Sequence, residues 1–590
     1  MFSLTHFLTG RTSVRSMVLV VWAVATIVFA AKSEALFGVR NLDSDDVMRL
    51  VQVRDLLGGQ GWFDLVQHRV APDGLIMHWS RIVDLGIASL ILFFGTVFPP
   101  DLAERAAGAL WPTLLLGPAL VAVAAIAERL GGRRAMPLGV ILFCLIGPAG
   151  AQFYPGRIDH HNVQLLACLV TAAAMLRLDG GRAGGVVAGL GAAVMLSVGI
   201  ETLPVLVVLC AAVGLLLAGD PVRYRAGAMA FGLWIALGSV ALTALTIPSA
   251  QIAAAHCDAI SAPYLAAAIV GGLGLAGMAL LGAGFPAIGR WITLAAVGAA
   301  VAAAVAFFGP ACLRGPVSEI DPRLLPIWLN GVQEMEPLWP AFARGDRLAV
   351  GSVGYLGLGL VAVVLAWRFA DARRRNALAL VATLQAVAFL VALGQIRGVY
   401  YANAFAAPLI AAGVVALQGM LRVPSGHRNA LTLAAIIVIS SCSFIAKAIT
   451  PDPAQASSRP ASAAADSSGL LGCAEPATYK AIRNVAPGVV LAGIDLGPFL
   501  LASSPTHSVL GAPYHRNVDG ILASYTLLSA GVDKAEALLR ARGVVAVVMC
   551  GPVPNVRAPG SLARALENDV VPPWLSAIET GTAARLFVLR

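Results

Sequence analysis

Three carboxylates stand close together in the stretch Asn41–Asp46, soon after the first apolar segment of the chain. They belong to Asp43, Asp45 and Asp46, and a helix leaving the membrane would present them at the bilayer surface. Carboxylates at this spacing can hold a divalent cation, and one of them can serve as a general base. A solvated helix start, with acidic residues favoured by the helix dipole, is the alternative interpretation.

A second polar group occurs in the stretch Tyr154–Asn162, between two apolar segments. It combines Arg157 and Asp159 with the adjacent histidines His160 and His161. Ionisable residues at membrane depth are costly unless they bind a cation, a phosphate or one another. The pattern therefore favours a functional site over the alternative, an aspartate that caps a helix.

Residues farther along the chain extend this set. Glu334 or Glu336 can complete a carboxylate site, although a solvated loop glutamate is the commoner explanation for either one. Arg397 lies at the outer end of a helix pair, where a guanidinium can bind phosphate or can anchor its helix at the interface. Glu201 is the main ionisable residue within an apolar segment.

The composition places these residues in a membrane protein. Of 590 residues, 58% are apolar and 12% are charged, which is too hydrophobic for a single water-soluble core. The formal charge of +9 comes mostly from short basic loops such as Arg223–Arg225 and Arg373–Arg375. Because such loops set the orientation of membrane helices, we do not expect nucleic-acid binding.

The positive-inside rule keeps Arg11, Arg15 and the N-terminus in the cytoplasm. Residues 82–98 are expected to form a re-entrant or interfacial helix, because a crossing there would reverse every later basic loop. About thirteen spans are then predicted, at 17–37, 109–128, 135–151, 160–177, 184–198, 201–218, 226–247, 263–285, 291–308, 350–369, 377–394, 402–420 and 430–447. The bias toward alanine, glycine and arginine suggests a bacterial inner membrane, with the outer loops in the periplasm.

The sequence predicts two domains joined by a linker. A transmembrane domain is expected at 1–450 with outer loops at 38–108, 152–159 and 309–349, then a Pro/Ala/Ser-rich linker at 451–470 and a small soluble periplasmic α/β domain at 471–590. In that domain Val489–Ala492 and Val544–Met549 read as strands, and Lys534–Arg542 reads as a helix. Cys473 and Cys550 are either bridged or free there, while most other cysteines read as small core residues.

Taken together, these positions resemble the catalytic subunits of oligosaccharyltransferases in the GT-C glycosyltransferase superfamily. Asp45, with Arg54 nine residues on, resembles the first aspartate of that family. Asp159–His161 stands where the family has D-x-D or D-x-E, and Val332–Glu334 resembles its loop glutamate motif. The resemblance implies a mainly α, polytopic GT-C helical bundle of about thirteen spans, followed by the α/β domain.

The resemblance also implies the ligands of the site. Asp45, Asp159, His161 and Glu334 would bind a divalent metal, with the histidine shifting preference from Mg toward Mn. Donor contacts are expected from Arg157, His160 and Arg397, and acceptor contacts from Asp495, His515 and Arg516. Val489–Gly497 lies where the family carries W-W-D and lacks both tryptophans, which weakens the case for asparagine-linked protein glycosylation.

The expected activity is transfer of a sugar from a polyprenyl-phosphate or polyprenyl-diphosphate donor to a glycan, lipid or protein acceptor on the outer face. The apolar spans would hold the isoprenoid among the membrane lipids, and Asp43 or Asp46 would serve as the general base. A transporter or flippase of lipid-linked sugars is the alternative function. Such a protein would place its ionisable residues in broken helices at midmembrane, whereas these charges lie at outer helix ends.

Overall fold

The structure is a computed structural model that describes residues 12–32, 43–70, 73–315, 318–449, 472–473, 476–553, 555–556 and 558–590. The linker predicted at 451–470 lies outside the described residues, as do Asn41 and Leu42. The predicted domain boundaries therefore stay predictions.

Most of the described residues up to Ile449 lie in helices. They are α1 (Val14–Lys32), α2 (Ser44–Leu57), α3 (Arg81–Gly95), α4 (Pro100–Gly131), α5 (Ala135–Leu145), α6 (Gly147–Ala151), α7 (His161–Met175), α8 (Arg182–Val198), α9 (Leu203–Gly219), α10 (Pro221–Thr246), α11 (Ser249–Ile252), α12 (Ala262–Leu281), α13 (Ala287–Phe308), α14 (Leu324–Ile327), α15 (Leu338–Ala343), α16 (Arg347–Trp367), α17 (Ala372–Gly394), α18 (Gly398–Met420) and α19 (Ser425–Ile449). A short hairpin, β1 (Val66–Gln67) with β2 (Leu75–Ile76), lies between α2 and α3.

Among the described residues, nine helices are long and apolar enough to cross a membrane. Each of the thirteen predicted spans overlaps helix in the described residues: nine fall on these helices, three on the shorter apolar helices α5, α7 and α8, and one on α19. The 15-residue α3 is also not one of the nine, and its first-turn residues Arg81 and Asp84 are buried. The interfacial helix expected at 82–98 and the number of crossings stay predictions.

Small residues let the membrane helices approach closely. A Cβ added at Gly185 of α8 would lie 2.1 Å from the Gly227 carbonyl oxygen of α10, and one at Gly232 of α10 would lie 2.3 Å from the Gly272 oxygen of α12. Without a hydrophobic force between helices in lipid, such close van der Waals packing drives their association. The glycines therefore fix the bundle that positions the outer loops.

The C-terminal region forms a five-stranded mixed sheet of order β4-β3-β5-β7-β6. Its strands are β3 (Val489–Ala492), β4 (Ser508–Val509), β5 (Val544–Met549), β6 (Leu575–Ile578) and β7 (Arg585–Leu589), and its helices are α20 (Gly497–Ser503), α21 (Val518–Ser529), α22 (Val532–Ala541) and α23 (Leu562–Glu567). β3 pairs in parallel with β4 and β5, and β7 pairs antiparallel with β5 and β6. Both predicted strands and the predicted helix are present.

One face of this sheet shares its apolar core with the first outer loop. Met48 and Val51 of α2 and Trp79 before α3 pack in one cluster with Val490 and Val548 of the sheet. Arg69 also donates to the carbonyl oxygens of Leu501, at 2.9 Å, and Ser504, at 3.0 Å. The helix that begins with the acidic cluster is therefore held between the membrane bundle and the C-terminal sheet.

Two disulfides are present, Cys473–Cys550 and Cys257–Cys312. Cys473 and Cys550, which the sequence left as either bridged or free, are therefore bridged. Cys257 and Cys312 are buried in the apolar core, and nothing in the sequence indicated that they pair. They lie before α12 and after α13, and the packing of these two neighbouring helices brings the loops together. Their separation of 55 residues gives no local signal of pairing.

Candidate active site

The N-terminus of α2 and the loop before α7 are joined by Asp46. Its Oδ1 accepts hydrogen bonds from the backbone N–H groups of Ile158, at 2.8 Å, and Asp159, at 2.9 Å. Its Oδ2 lies 2.8 Å from Arg157, which also contacts Asp43 Oδ2 at 3.0 Å. Asp46 is fully buried with all these donors around it, and its carboxylate joins α2 to the loop before α7. A role as general base stays a prediction.

Asp43 is the more accessible carboxylate. It caps α2, its Oδ1 accepting from the Asp45 N–H at 2.7 Å, and 41% of its side chain is exposed. Of the two residues predicted as the base, it is the one that a substrate can reach.

The two histidines lie between Asp159 and Glu201. His160 Nδ1 is 2.5 Å from Asp159 Oδ1, and its Nε2 is 3.4 Å from Glu201 Oε2. His161 Nδ1 is 3.2 Å from the same Glu201 oxygen, and its Nε2 is 3.4 Å from Asp159 Oδ2. All three residues of Asp159–His161 are buried. Glu201, which the sequence singled out only as an ionisable residue in an apolar segment, is thus part of the site.

Glu334 reaches the same cluster from the outer loop before α16. Its Oε2 lies 3.6 Å from His161 Nε2, and its Oε1 accepts from the Tyr400 hydroxyl at 3.3 Å. The loop is held by backbone hydrogen bonds from Ile396 to Glu336, at 2.7 Å, and from Arg397 to Glu334, at 3.4 Å. Glu334 and Asp159 therefore meet at His161, and Asp45 lies near enough to interact electrostatically with all three.

The electrostatics of the cluster favour a cation. Burial and the neighbouring charges of Asp43, Asp159 and Glu334 raise the pKa of Asp45 well above its usual value. Burial is the largest cause of this shift, and the three neighbouring carboxylates add to it while His161 opposes it. Asp159 Oδ2 and Glu201 Oε2 are also buried without a hydrogen-bond partner among the described residues. Two orphaned oxygens facing imidazole nitrogens fit a divalent metal such as Mn²⁺.

An inner ion-pair network, which the sequence analysis missed, supports Asp159. Arg49 is fully buried, pairs with Asp84 Oδ1 at 2.8 Å and points Nη2 toward Asp159 at 3.9 Å. Its guanidinium also lies 4.4 Å from the centre of the Trp79 ring. Arg81 takes the other Asp84 oxygen at 3.0 Å. In the sequence, the indication of this network is the pair of charged residues Arg81 and Asp84 in the otherwise apolar α3.

Most of the remaining predicted residues contact other residues of the chain. Arg397 lies 2.8 Å from Glu201 Oε1, and Arg157 is engaged by the aspartates of α2. His515 and Arg516, predicted for the acceptor, contact Asp258 in the loop before α12 at 2.6 Å each. Asp495 is exposed directly after β3.

No protein-family model and no curated protein sequence matches the chain. The apo oligosaccharyltransferase from Archaeoglobus fulgidus is similar in structure, with a TM-score of 0.64 and 15% identity over 90% of this chain and 69% of that one. Its counterpart AglB, in complex with an inhibitory peptide and a dolichol-phosphate, gives 0.63 and 14% over the same shares of 90% and 69%. The arabinofuranosyltransferase AftD from Mycobacteria gives 0.52 and 12%, covering 98% of this chain and 42% of that one.

These proteins are all GT-C glycosyltransferases. The chain has the GT-C fold. The GT-C fold and its apolar helices make it a multi-pass membrane protein, and they confirm the fold class expected from the sequence. At 12–15% identity the likeness establishes the fold and not the reaction.

Proposed function

We propose that the chain is a membrane glycosyltransferase that transfers a sugar from a polyprenyl-phosphate or polyprenyl-diphosphate donor to an acceptor on the outer face of the membrane. The observation that carries this proposal is the convergence of Asp45, Asp159, His161 and Glu334, with an orphaned oxygen on Asp159. Two similar Archaeoglobus fulgidus structures support it, since AglB is in complex with a dolichol-phosphate and an oligosaccharyltransferase is in complex with Zn and sulfate.

Asp45, Asp159, His161 and Glu334 would hold the metal, and Glu201 joins them because its free oxygen faces both histidines. Imidazole and carboxylate donors together suit Mn²⁺ or Zn²⁺ better than Mg²⁺. A bound divalent cation supplies positive charge to the phosphate that leaves the sugar.

Asp43 acts as the general base in this proposal, because its carboxylate is accessible while Asp46 is buried. Arg157 and the backbone N–H groups bonded to Asp46 hold the carboxylates of α2 at a fixed distance from the histidines. Arg397, 19% exposed beside Glu201, contacts the donor phosphate. Asp495 remains our candidate for the acceptor side.

The site and both disulfides lie on one side of the membrane in the topology expected from the basic loops. Disulfides persist in oxidising compartments, which supports an extracytoplasmic face, the periplasm if the source is bacterial. The N-terminus would then be cytoplasmic and the C-terminal sheet periplasmic.

The test is sugar transfer by the purified full-length chain in nanodiscs, with radiolabelled polyprenyl-linked donors extracted from membranes. Transfer should require Mn²⁺ or a similar ion, stop with chelator, and fall at least 100-fold in Asp45→Asn and His161→Ala. Asp73→Asn, an exposed change in the same outer loop, is the matched control. Donor binding without any transfer, indifferent to metal, would refute the enzyme and favour a flippase.

A further inference from the structure

Three histidines from distant parts of the chain surround Asp258, apart from the cluster at Asp159. His78 comes from the first outer loop, His256 from the loop before α12, and His515 from the C-terminal region. The ligand atoms of His78, Asp258 and His515 lie within 4.8 Å of one another, as do those of His256, Asp258 and Glu319. Asp258 belongs to both groups.

Two of these imidazoles lack ordinary partners. The rings of His78 and His256 make no hydrogen bond to any described side chain or backbone group, although both are only partly exposed. The His78 ring lies 4.9 Å from that of His515, whose Nε2 is 2.6 Å from Asp258 Oδ2. A cavity of about 30 Å³ lies beside this group and is lined by His78, His256 and Arg516 among others. A water needs roughly 10–15 Å³ by this measure, so the cavity has room for a water next to His78.

We propose that His78, His515 and Asp258 bind a second divalent cation, Zn²⁺ or a metal of similar softness, with water completing the coordination. Two imidazoles and a carboxylate, with a water in the fourth position, are a donor set that Zn²⁺ accepts in tetrahedral geometry. His515 and Asp258 share a hydrogen bond without the ion, and binding would remove that proton and separate the two atoms by several tenths of an ångström.

Neighbouring charges suit this role. Arg516 forms a bidentate pair with Asp258, at 2.7 and 2.6 Å, which orients the carboxylate as outer-shell partners of metal ligands do. Glu319 adds negative charge and is fixed by the Cys257 N–H at 2.9 Å. Asp258 and Glu319 together outweigh Arg516, so the site carries net negative charge before an ion binds.

The proposed ion would tie three segments together. Asp258 is adjacent to the Cys257–Cys312 disulfide, His515 belongs to the C-terminal region, and His78 precedes Trp79. The Trp79 ring lies 6.0 Å from that of His160 in the candidate active site. The second ion therefore holds the C-terminal sheet against the outer loops beside that site, a role that does not depend on the transfer reaction.

The test counts ions bound by the purified full-length chain after dialysis against Zn²⁺. An Asp159→Ala/His161→Ala variant, which lacks the first site, should retain one Zn²⁺ per chain and should show visible absorption of four-coordinate Co²⁺ after substitution. Adding His78→Ala and His515→Ala should abolish both signals. His68→Ala, a histidine 64% exposed in the same outer loop, should change neither.

Zn²⁺ should also raise the melting temperature of the Asp159→Ala/His161→Ala chain, because an ion that binds only the folded state stabilises it. His78→Gln is a smaller change that is less prone to misfold than alanine. It should leave the size-exclusion profile unchanged and lower the Zn²⁺ affinity at least 10-fold. The proposal fails if the Asp159→Ala/His161→Ala chain binds no Zn²⁺, or if the His78 and His515 substitutions leave its stoichiometry equal to that of His68→Ala.

Discussion

Substitutions of Asp46 should have graded effects, because its carboxylate combines two separable interactions. One oxygen accepts from the backbone N–H groups of Ile158 and Asp159, and the other faces Arg157. Asp46→Asn keeps an oxygen for the two N–H groups and loses the charge. Asp46→Ala removes both.

The magnitudes follow from burial. Burial raises the pKa of Asp46 to about 7, so its neutral form is tolerated near neutral pH, and a neutral isostere should cost only about 1 kcal/mol. Arg157 also keeps its contact with Asp43 at 3.0 Å. Alanine instead leaves two buried N–H groups unpaired, at about 1–3 kcal/mol each. The loop that carries Asp159 should then move, and Mn²⁺ affinity should fall about 10- to 100-fold.

The assay is Mn²⁺ titration calorimetry on chains in nanodiscs, with thermal unfolding followed by a dye that reacts with free thiols such as that of Cys168, which is buried in the folded chain. Asp73→Asn controls for loss of charge in the same outer loop. Equal affinity and melting temperature in the alanine and asparagine variants would show that the two N–H bonds do not hold the loop. So would an alanine variant that behaves like the control.

Replacing both Cys473 and Cys550 by serine should destabilise the C-terminal region by up to about 4 kcal/mol, because the disulfide closes a loop of 77 residues in the unfolded chain. A melting temperature equal to that of the oxidised protein would contradict this. Gly413→Leu should cost at least about 1–3 kcal/mol, since a Cβ there already lies 2.4 Å from a side chain of α16. Thermal unfolding checks this against Gly419→Ala, which has open space, and equal melting would refute it. Glu201→Gln should weaken Mn²⁺ binding about 10-fold by calorimetry, and unchanged affinity would exclude Glu201 from the metal site.

Local pattern carried much of the prediction. Apolar stretches of membrane-spanning length became helices, and Val489–Ala492 and Val544–Met549 became strands. The polar groups at Asp43–Asp46 and Asp159–His161 were recognisable because ionisable residues beside apolar segments are costly without a purpose. Each of these features depends only on residues that are close together in the sequence, so the sequence alone predicts it.

The division of roles within the site could not be read in the same way. Asp43 and Asp46 are the same residue type in the same short stretch, yet Asp43 is accessible and Asp46 is buried beneath Arg157. Glu201 contacts His161 from an apolar segment, Arg49 lies near Asp159 from α2, and His515 contacts Asp258. Each of these outcomes depends on which distant segment packs against the residue.

The sequence by itself determined the long apolar helices, the outer position expected for the acidic residues and two of the five strands of the C-terminal sheet, because hydrophobic length and periodicity act over a few turns of chain. Only the tertiary structure decided which carboxylates are free, which cysteines pair and which histidines meet. The reason is that small-residue contacts between helices, such as that at Gly185 and Gly227, set the distances between loops that are remote in sequence.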